Sequence, residues 1–311
     1  MRGRYDDTNT CLREHTSGRA AERCIPASRT GNRPTVETKR FPVRRQDTAM
    51  TSSPPGAPAP RLTRTPAGAP AAPGGPPFVH FGPEVLGAAL GGVGAGAVEE
   101  FTGSWDDLPA DTHLGTDTPY RFRRYGLFRI RPGRLERLPH TAFFQDKSVN
   151  KVHGGVQRLF APLSAAVAGG EVLRTVVHTL RRHLPGPRAG MDTCGVHQIR
   201  VTATTRTEGH PAPEGVHQDG HSYVAQVLIR REDVSGAESA LYDLRSRPVH
   251  RALLTAPLET IVLDDRRLLH GVSPVRPAPG ASCGMRDMLL VDFFPGGGDD
   301  VRGERDVASP G

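Results

Sequence analysis

Short apolar segments alternate with turn residues from position 196 onward, and this pattern restricts the fold more than any other feature. Each segment is six to ten residues long and rich in β-branched or alternating apolar residues, as strands are. The segments are 196–205, 223–231, 239–244, 259–265 and 287–294. Between them lie HPAPEG, DVSGAE, RSRPV and RPAPGAS, which are rich in turn-forming residues. Many short strands at even spacing predict an antiparallel sandwich or barrel.

The region before these strands predicts helices beside a strand or strand pair. Residues 120–130, YRFRRYGLFRI, alternate as strands do. Residues 156–184 hold apolar residues at helical spacing, with a break expected near Gly169. Residues 78–101 start as a possible short strand and continue as a small-residue helix or loop. The GGVGAG within them lacks the Lys-Ser/Thr of a phosphate loop. We expect one domain, residues 78–295, with a helical first half packed on a β-rich second half.

The net charge of +7 belongs to the N-terminal segment. Residues 1–77 contain 13 Lys and Arg and 6 Asp and Glu, so 13 − 6 = +7, and the remaining residues carry 27 of each sign. Residues 51–77 hold 9 Pro and 4 Gly, which predicts a disordered leader that is first basic and then Pro/Gly-rich. A second possibility is that the natural start is Met50. The Gly- and Asp-rich residues 296–311 are expected to form a flexible tail.

The balance of charge and the cysteines narrow the possible partners and compartment. A neutral body provides no basic face for nucleic acid, so no nucleic-acid partner is expected. No run of about 18 apolar residues is present, so we expect no membrane partner. The four cysteines form no CxxC pair, which favours a reducing, cytoplasmic location over a disulfide framework. Nothing in the sequence indicates an oligomeric state.

The stretch PEGVHQDGHSYVAQVLIRRED, residues 213–233, places His217, Asp219 and His221 at alternate positions ahead of an apolar strand. Side chains at i and i+2 of an extended chain point the same way, so His217 and Asp219 can face one metal ion. His270, in LDDRRLLHGVSP, is the candidate third ligand. Two histidines and a carboxylate form the facial triad of non-haem Fe(II) oxygenases. The alternative is a solvated polar turn, and His221 is expected to lie outside the ligand set.

An iron site of this kind usually takes a 2-oxo acid, whose distant carboxylate needs a cation. Arginine suits this role because its guanidinium pairs with a carboxylate through two parallel hydrogen bonds. Arg286 opens the strand RDMLLVDFF and is the favoured anchor. Arg276 lies in the Pro-rich SPVRPAPG and is the less favoured candidate.

These motifs together resemble the Fe(II)/2-oxoglutarate dioxygenase family that includes bacterial L-isoleucine 4-hydroxylase. The resemblance joins PEGVHQDGHSYV, LDDRRLLHGVSPV and MRDMLLVDFF to the upstream WDDLPADTHLGTDTPYRFRRYGLF and FFQDKSVNKVHGGVQRLFAPL, and covers about residues 100–295. One departure is Ala237 in SGAES, where a second glycine is expected. The resemblance implies a mainly β fold with supporting α-helices, a double-stranded β-helix or jelly roll.

The resemblance also implies a function and its cofactors. His217, Asp219 and His270 would bind Fe(II), Arg286 would bind 2-oxoglutarate, and O₂ would be the oxidant. The expected reaction hydroxylates an aliphatic C–H bond of a free L-amino acid, with succinate and CO₂ as co-products. Because halogenating relatives lack the carboxylate ligand, Asp219 favours hydroxylation. The alternatives are the same chemistry on a carrier-bound or peptide-bound amino acid or another natural-product intermediate, and a non-catalytic β-sandwich that binds a metal or ligand.

Other polar residues near these motifs have two possible roles each. Asp264 and Asp265 are expected either to orient a ligand imidazole or to cap the turn before His270. Arg200 and Arg206 could bind a substrate carboxylate, although a place on a polar face is favoured. Three further residues are expected to be structural or exposed: Trp105, His197 and His210.

Overall fold

A large, mainly antiparallel sheet dominates the computed structural model, which describes residues 75–116, 118–145 and 155–296. The strands of this part of the chain are β1 (Phe78–Phe81), β2 (Arg121–Arg131), β3 (Arg134–Arg137), β4 (Ala161–Pro162), β5 (Thr193–Thr204), β6 (Tyr223–Glu232), β7 (Val234–Gly236), β8 (Ser239–Asp243), β9 (Pro248–Ala252), β10 (Thr260–Asp264), β11 (Leu268–Val272), β12 (Val275–Pro277) and β13 (Cys283–Phe294). The large sheet has the order β1-β10-β6-β13-β5-β2-β3, with β4 parallel to β2.

Two smaller groups of strands and a set of helices complete the fold. Strands β11-β8-β9 form a three-stranded sheet, and β12 pairs with β7. The described helices are α1 (Glu84–Leu90), α2 (Ala95–Gly103), α3 (Ala165–Gly169) and α4 (Glu171–Arg182), with 3₁₀ turns at Ser104–Asp107 and Thr112–Leu114. The longest of them, α4, has 12 residues, and no described helix is long and apolar enough to cross a membrane.

Alternating side chains on the central strands divide the core into two layers. In β6, Val224 and Leu228 pack with residues of the three-stranded sheet such as Leu241. Ala225 and Val227 point the other way and belong to the cluster formed with the helices. The two sheets therefore face each other across one layer, and the helices cover the outer face of the large sheet. This arrangement confirms the predicted jelly roll with supporting helices.

Several elements lie where the sequence pattern placed them. Of the predicted strand or strand pair, residues 120–130 give the single strand β2, which pairs with β3 further along the chain, and the segment GGVGAG lies at the junction of α1 and α2. The predicted break separates α3 from α4 at Gly170. A Cβ at Gly170 would lie 2.7 Å from the carbonyl oxygen of Ala166, so this sharp junction requires glycine. Trp105 is a packing residue, because it is fully buried and its indole N–H contacts the carbonyls of Ile199 and Met288.

Three predicted turns also contain parts of short strands that were not predicted, although RSRPV and RPAPGAS hold the turns before β9 and β13 as well. DVSGAE includes β7, RSRPV includes the start of β9, and RPAPGAS includes the end of β12. The residues of these short strands have weak strand propensity. Strands β7 and β12 nevertheless pair with each other although they are distant in sequence, and β9 pairs with β8 in a hairpin. Proline is tolerated at the ends of such strands, where no ladder donor is needed. The predicted leader, residues 1–77, and tail, residues 296–311, lie outside the described residues apart from 75–77 and Gly296.

A buried ion network joins the central strands to the 3₁₀ turn at Ser104–Asp107. Asp287 of β13 is fully buried and accepts hydrogen bonds at 2.7 to 2.8 Å from Arg200 of β5 and Arg230 of β6. Asp106 accepts from the same two arginines at 2.8 and 2.6 Å. Arg200 is therefore committed to this network on the helix-covered face, and Arg206 is exposed in a turn. Neither arginine is available as a buried substrate anchor.

We expect Asp287→Ala to lower the free energy of unfolding by about 3–5 kcal/mol, because it leaves two partly buried guanidinium groups without their shared carboxylate. Urea denaturation monitored by circular dichroism would measure this loss. The matched control is Asp106→Ala, which removes a half-exposed carboxylate from the same arginines and should cost less than about 1 kcal/mol. Equal losses in the two variants would contradict a dominant role for the buried carboxylate.

Candidate metal centre

Two histidines distant in sequence meet through a short antiparallel bridge. The backbone N–H of His217 donates to the carbonyl of His270 at 2.9 Å, and the reverse hydrogen bond is 2.8 Å. Their ring centroids are 4.5 Å apart. His270 belongs to β11, whereas His217 and Asp219 lie in the loop before Tyr223, where β6 begins. His217 and Asp219 therefore lie ahead of the strand, and the bridge and side-chain contacts hold the loop that carries them.

Asp219 completes a group of three side chains around one point. Its two carboxylate oxygens lie 3.3 Å from His217 Nε2 and 3.3 Å from His270 Nε2, respectively. One ligand atom from each residue falls within 4.8 Å of the others, and no other His, Cys, Asp or Glu group in the described residues has metal-binding spacing. Two imidazole nitrogens and one carboxylate can hold a divalent cation while leaving coordination positions open.

Contacts behind His217 orient its ring for metal binding. Nδ1 of His217 lies 2.9 Å from the carbonyl oxygen of Gly215, so Nδ1–H donates to that carbonyl and Nε2 is the nitrogen that faces Asp219. Behind His270, Nδ1 lies 3.5 Å from the side-chain amide of Gln226 in β6. Both rings thus present Nε2 to the shared point.

Asp265 fixes the loop that carries Asp219. Its buried carboxylate accepts the backbone N–H groups of Asp219, Gly220 and His221 at 2.7 to 3.1 Å. Gly220 has φ +85°, a conformation in which glycine is favoured. Neither of the two roles considered for this acidic pair describes Asp265, which holds the loop backbone and lies 3.5 Å from His270 Nε2. Asp264 accepts from Arg266 within its own turn.

The three titratable groups shift one another strongly. Burial lowers the pKa of His270, but the Asp219 and Asp265 carboxylates outweigh burial and raise that pKa to about 10. Burial also lowers the pKa of His217, and its hydrogen bond with Asp219 raises it above the ordinary value overall. Burial raises the pKa of Asp219, but the two histidines hold it well below its usual range. Protons therefore neutralise the site when no metal is bound, and a cation must displace them.

His221 is not part of the three-residue group. Its ring stacks on Phe294 with centroids 5.1 Å apart, and its Nε2 lies 3.6 Å from a carboxylate oxygen of Asp292. The side chain thus points to β13 and not to the shared point. His210 lies against Tyr120, and His197 is buried between polar partners.

Arg286 is a buried cation without an anion. It is 2% exposed, and its Nε and Nη2 atoms have no hydrogen-bond partner among the described residues. Burial, together with the nearby charge of Arg231, lowers the pKa of Arg286 to about 9. Arg276 differs, because its side chain is half-exposed and pairs with Glu208 at 2.6 Å. Arg286 is thus the one of the two whose guanidinium lacks a counter-ion.

Two buried residues next to the triad received no role from the sequence. The amide nitrogen of Gln145 lies 3.2 Å from the backbone oxygen of Asp219 and 3.3 Å from its carboxylate, and Arg158 donates to the other end of Gln145 at 2.7 Å. Both lie in FFQDKSVNKVHGGVQRLFAPL. The sequence identified this segment only through the family resemblance and assigned no role to its residues. His113 and His140 contact backbone carbonyls of Leu159 and Phe160, and His153 lies outside the described residues.

Comparison with known sequences points to one family. A family model described as 2OG-Fe dioxygenase matches residues 102–292. The chain is 23% identical over 154 residues to 3(1)-hydroxy-L-isoleucine 4-dioxygenase of Pantoea ananatis, and 24% identical over 160 residues to L-isoleucine-4-hydroxylase of Bacillus thuringiensis. These alignments include 48% and 49% of this chain and 62% and 64% of the relatives. The chain therefore spans less than two thirds of the length of either relative.

A solved structure is similar to this chain in both fold and sequence. The crystal structure of a bsmA homolog from Methylobium petroleophilum PM1 matches with a TM-score of 0.59 and 30% identity. The match covers 70% of this chain and 88% of that chain. It extends over most of the residues that form the sheets and helices described above.

We expect His217→Ala to weaken binding of Mn(II) by more than about 100-fold, because it removes one of three ligand atoms from the group. Isothermal titration calorimetry would measure the change. The matched control is His221→Ala, two residues after Asp219, which should keep Mn(II) affinity within a few-fold of the wild type. A loss of binding in both variants would show that His221 belongs to the ligand set.

Mn(II) affinity should rise with pH by about tenfold per unit between roughly pH 6 and 8, because His270 must lose its proton before it binds metal. The sign follows from its raised pKa: below about 10 the metal-free imidazole is protonated, and each step to higher pH weakens that competition. Calorimetric titrations in buffers of different ionisation enthalpy would also record proton release. A pH-independent affinity would contradict the protonated metal-free state.

Proposed function

The chain belongs to the 2OG-Fe dioxygenase family, and from this premise we propose that it is a dioxygenase that uses Fe(II), 2-oxoglutarate and O₂ to hydroxylate a free L-amino acid. The reaction would replace one aliphatic C–H hydrogen by a hydroxyl group, with succinate and CO₂ as co-products. The observation that carries this proposal is the His217, Asp219 and His270 group, whose donor atoms suit Fe(II) and leave room for other ligands.

The residues present fit the cofactor and the co-substrate. We propose His217, Asp219 and His270 as the iron ligands, since their two nitrogens and one carboxylate are the donor types that non-haem Fe(II) prefers. We propose Arg286 as the anchor for the distant carboxylate of 2-oxoglutarate, because its guanidinium is buried and has no hydrogen-bond partner at two of its nitrogens. When bound, Fe(II), 2-oxoglutarate and O₂ supply the oxidising power for C–H hydroxylation.

The protein's own contribution is to position ligands and exclude water. Asp265 keeps the loop amides in place, so Asp219 keeps its orientation when metal binds. The Gly215 carbonyl accepts from Nδ1–H of His217 and so makes Nε2 the nitrogen that exchanges its proton for the metal. The apolar cluster of Tyr125, Phe143 and Phe160 reaches the loop that carries Asp219, because the rings of Phe143 and His221 have centroids 6.4 Å apart, and we propose it as the dry surface for an aliphatic group.

The choice of a free amino acid as substrate draws on the relatives. Two of them are named for action on L-isoleucine or a hydroxylated L-isoleucine. At 23–24% identity, these names support an amino-acid-like substrate without identifying the side chain. The second candidate is the same chemistry on a carrier-bound or peptide-bound amino acid. Membership of the dioxygenase family sets aside the non-catalytic β-sandwich.

A mass-spectrometric screen of the twenty L-amino acids with Fe(II), 2-oxoglutarate and ascorbate tests the function. We expect at least one aliphatic amino acid to gain one oxygen atom, with one succinate formed per product. His217→Ala should form neither product nor succinate. If no amino acid supports product or succinate formation by protein that binds Fe(II) and 2-oxoglutarate, hydroxylation of free amino acids is wrong.

Arg286→Met should weaken 2-oxoglutarate binding by about 10- to 100-fold, because charge-assisted hydrogen bonds to a carboxylate contribute about 1.5–3 kcal/mol. The charge-transfer absorption of the anaerobic Fe(II) complex, followed during titration with 2-oxoglutarate, would measure this affinity. Arg276→Met is the matched control and should leave the affinity unchanged, since Arg276 is paired with Glu208 at the surface. The opposite ranking of the two variants would reassign the anchor.

A further inference from the structure

We propose that Arg158 binds a free carboxylate of the substrate and thereby restricts the enzyme to acids. This inference rests on the proposed function and narrows it. It separates a free amino acid, which carries an α-carboxylate, from a carrier-bound or peptide-bound residue whose carboxyl group is masked as a thioester or amide.

Arg158 is buried with no carboxylate in direct contact, and Glu214, Asp111 and Asp219 attract it only over longer distances. It is 4% exposed, and no Asp or Glu carboxylate of the described residues lies within 4.0 Å of its guanidinium. Its Nη2 donates to Gln145 at 2.7 Å, and its Nε has no hydrogen-bond partner. Its guanidinium carbon lies 5.1 Å and 5.7 Å from the ring centroids of Phe143 and Phe160. A buried cation with an unused donor is costly unless an anion joins it.

The other buried arginines show that not every buried guanidinium group of the described chain is left in this state. The described chain buries four arginines: Arg121, Arg123, Arg158 and Arg286. Arg121 lies 2.8 Å from a carboxylate oxygen of Asp111, and Arg123 lies 3.9 Å from the same oxygen. Arg123 also donates to His197 Nδ1. Arg158 and Arg286 are the two left without a carboxylate. The proposed reaction brings in two carboxylates that need a cation other than the metal, the distant carboxylate of 2-oxoglutarate and the α-carboxylate of a free amino acid.

The position of Arg158 suits it to bind the carboxylate of a free amino acid. Gln145 connects it to Asp219, so one carboxamide separates the guanidinium from a proposed iron ligand. Phe143 and Phe160 lie beside it and belong to the same apolar cluster as Tyr125. A small acid held by Arg158 would therefore have an apolar surface for its side chain and lie near the metal centre. An amide or thioester would leave the donor unpaired.

A purely structural role makes a different prediction. If Arg158 only held Gln145 against Asp219, its loss would weaken metal binding and affect every substrate equally. A recognition role instead predicts a change in preference between an acid and its amide. The ratio of the two kcat/KM values is the readout that a structural role would not move.

The first experiment compares each amino acid that is turned over with its α-carboxamide. Wild-type protein should prefer the acid by more than about 10-fold in kcat/KM, and Arg158→Met should lose most of that preference while Mn(II) affinity stays unchanged. Arg286→Met should lower both rates and preserve the ratio, and Arg276→Met should change neither. Equal use of acid and amide by the wild-type protein would overturn the proposal, whether or not the variant folds.

The second experiment needs no turnover. Protein loaded with Zn(II) and 2-oxoglutarate would be titrated calorimetrically with 4-methylpentanoate and with 4-methylpentanamide. We expect the carboxylate to bind more tightly, and Arg158→Met to remove that difference. Similar binding of both probes to the wild type would refute the role of Arg158 even if hydroxylation is found. Selective carboxylate binding without any amino-acid turnover would instead support Arg158 and reject the proposed reaction.

Discussion

The metal centre depends on one buried carboxylate that is not part of it. Asp265 accepts three consecutive backbone N–H groups, those of residues 219–221, and so holds an irregular loop in one conformation. It lies in the turn between β10 and β11, the strand that carries His270. The same turn therefore positions the third proposed ligand and the loop that carries the other two. Without such an acceptor, three amides would lose charge-assisted hydrogen bonds, each worth about 1.5–3 kcal/mol.

Buried charged side chains that have no partner in direct contact make this side of the large sheet suited to binding a metal ion and carboxylates. Asp219 is stabilised as an anion by two histidines, whereas Arg158 and Arg286 are cations with no carboxylate in direct contact and with unpaired N–H groups. A core that served stability alone would pair or replace such groups, because an uncompensated buried charge is strongly unfavourable. The ion pairs of Asp287 with Arg200 and Arg230 show the paired case on the opposite face of the same sheet. The unpaired groups occur on the side where a metal and two carboxylates would bind.

Much of the β-structure and of the metal group could be predicted from local pattern. The long strands β5, β6 and β13 follow from runs of β-branched and apolar residues, and the α3–α4 break follows from adjacent glycines. The short strands β7, β9 and β12 could not be predicted, because their hydrogen bonds come from partner strands and not from their own propensity. Gln145 and Arg158 were missed for a related reason: no local pattern distinguishes a buried polar residue from an exposed one.

The sequence by itself determined the chemistry that is possible here. The HxD spacing, a later histidine and an arginine at the start of a strand are local features, and they identify donor types without any coordinates. Only the tertiary structure decided which of these groups meet, that His221 points to β13, and that Arg286 lacks an anion while Arg276 has one. The physical reason is that ligand geometry and burial depend on contacts between residues far apart in sequence, such as the bridge between His217 and His270.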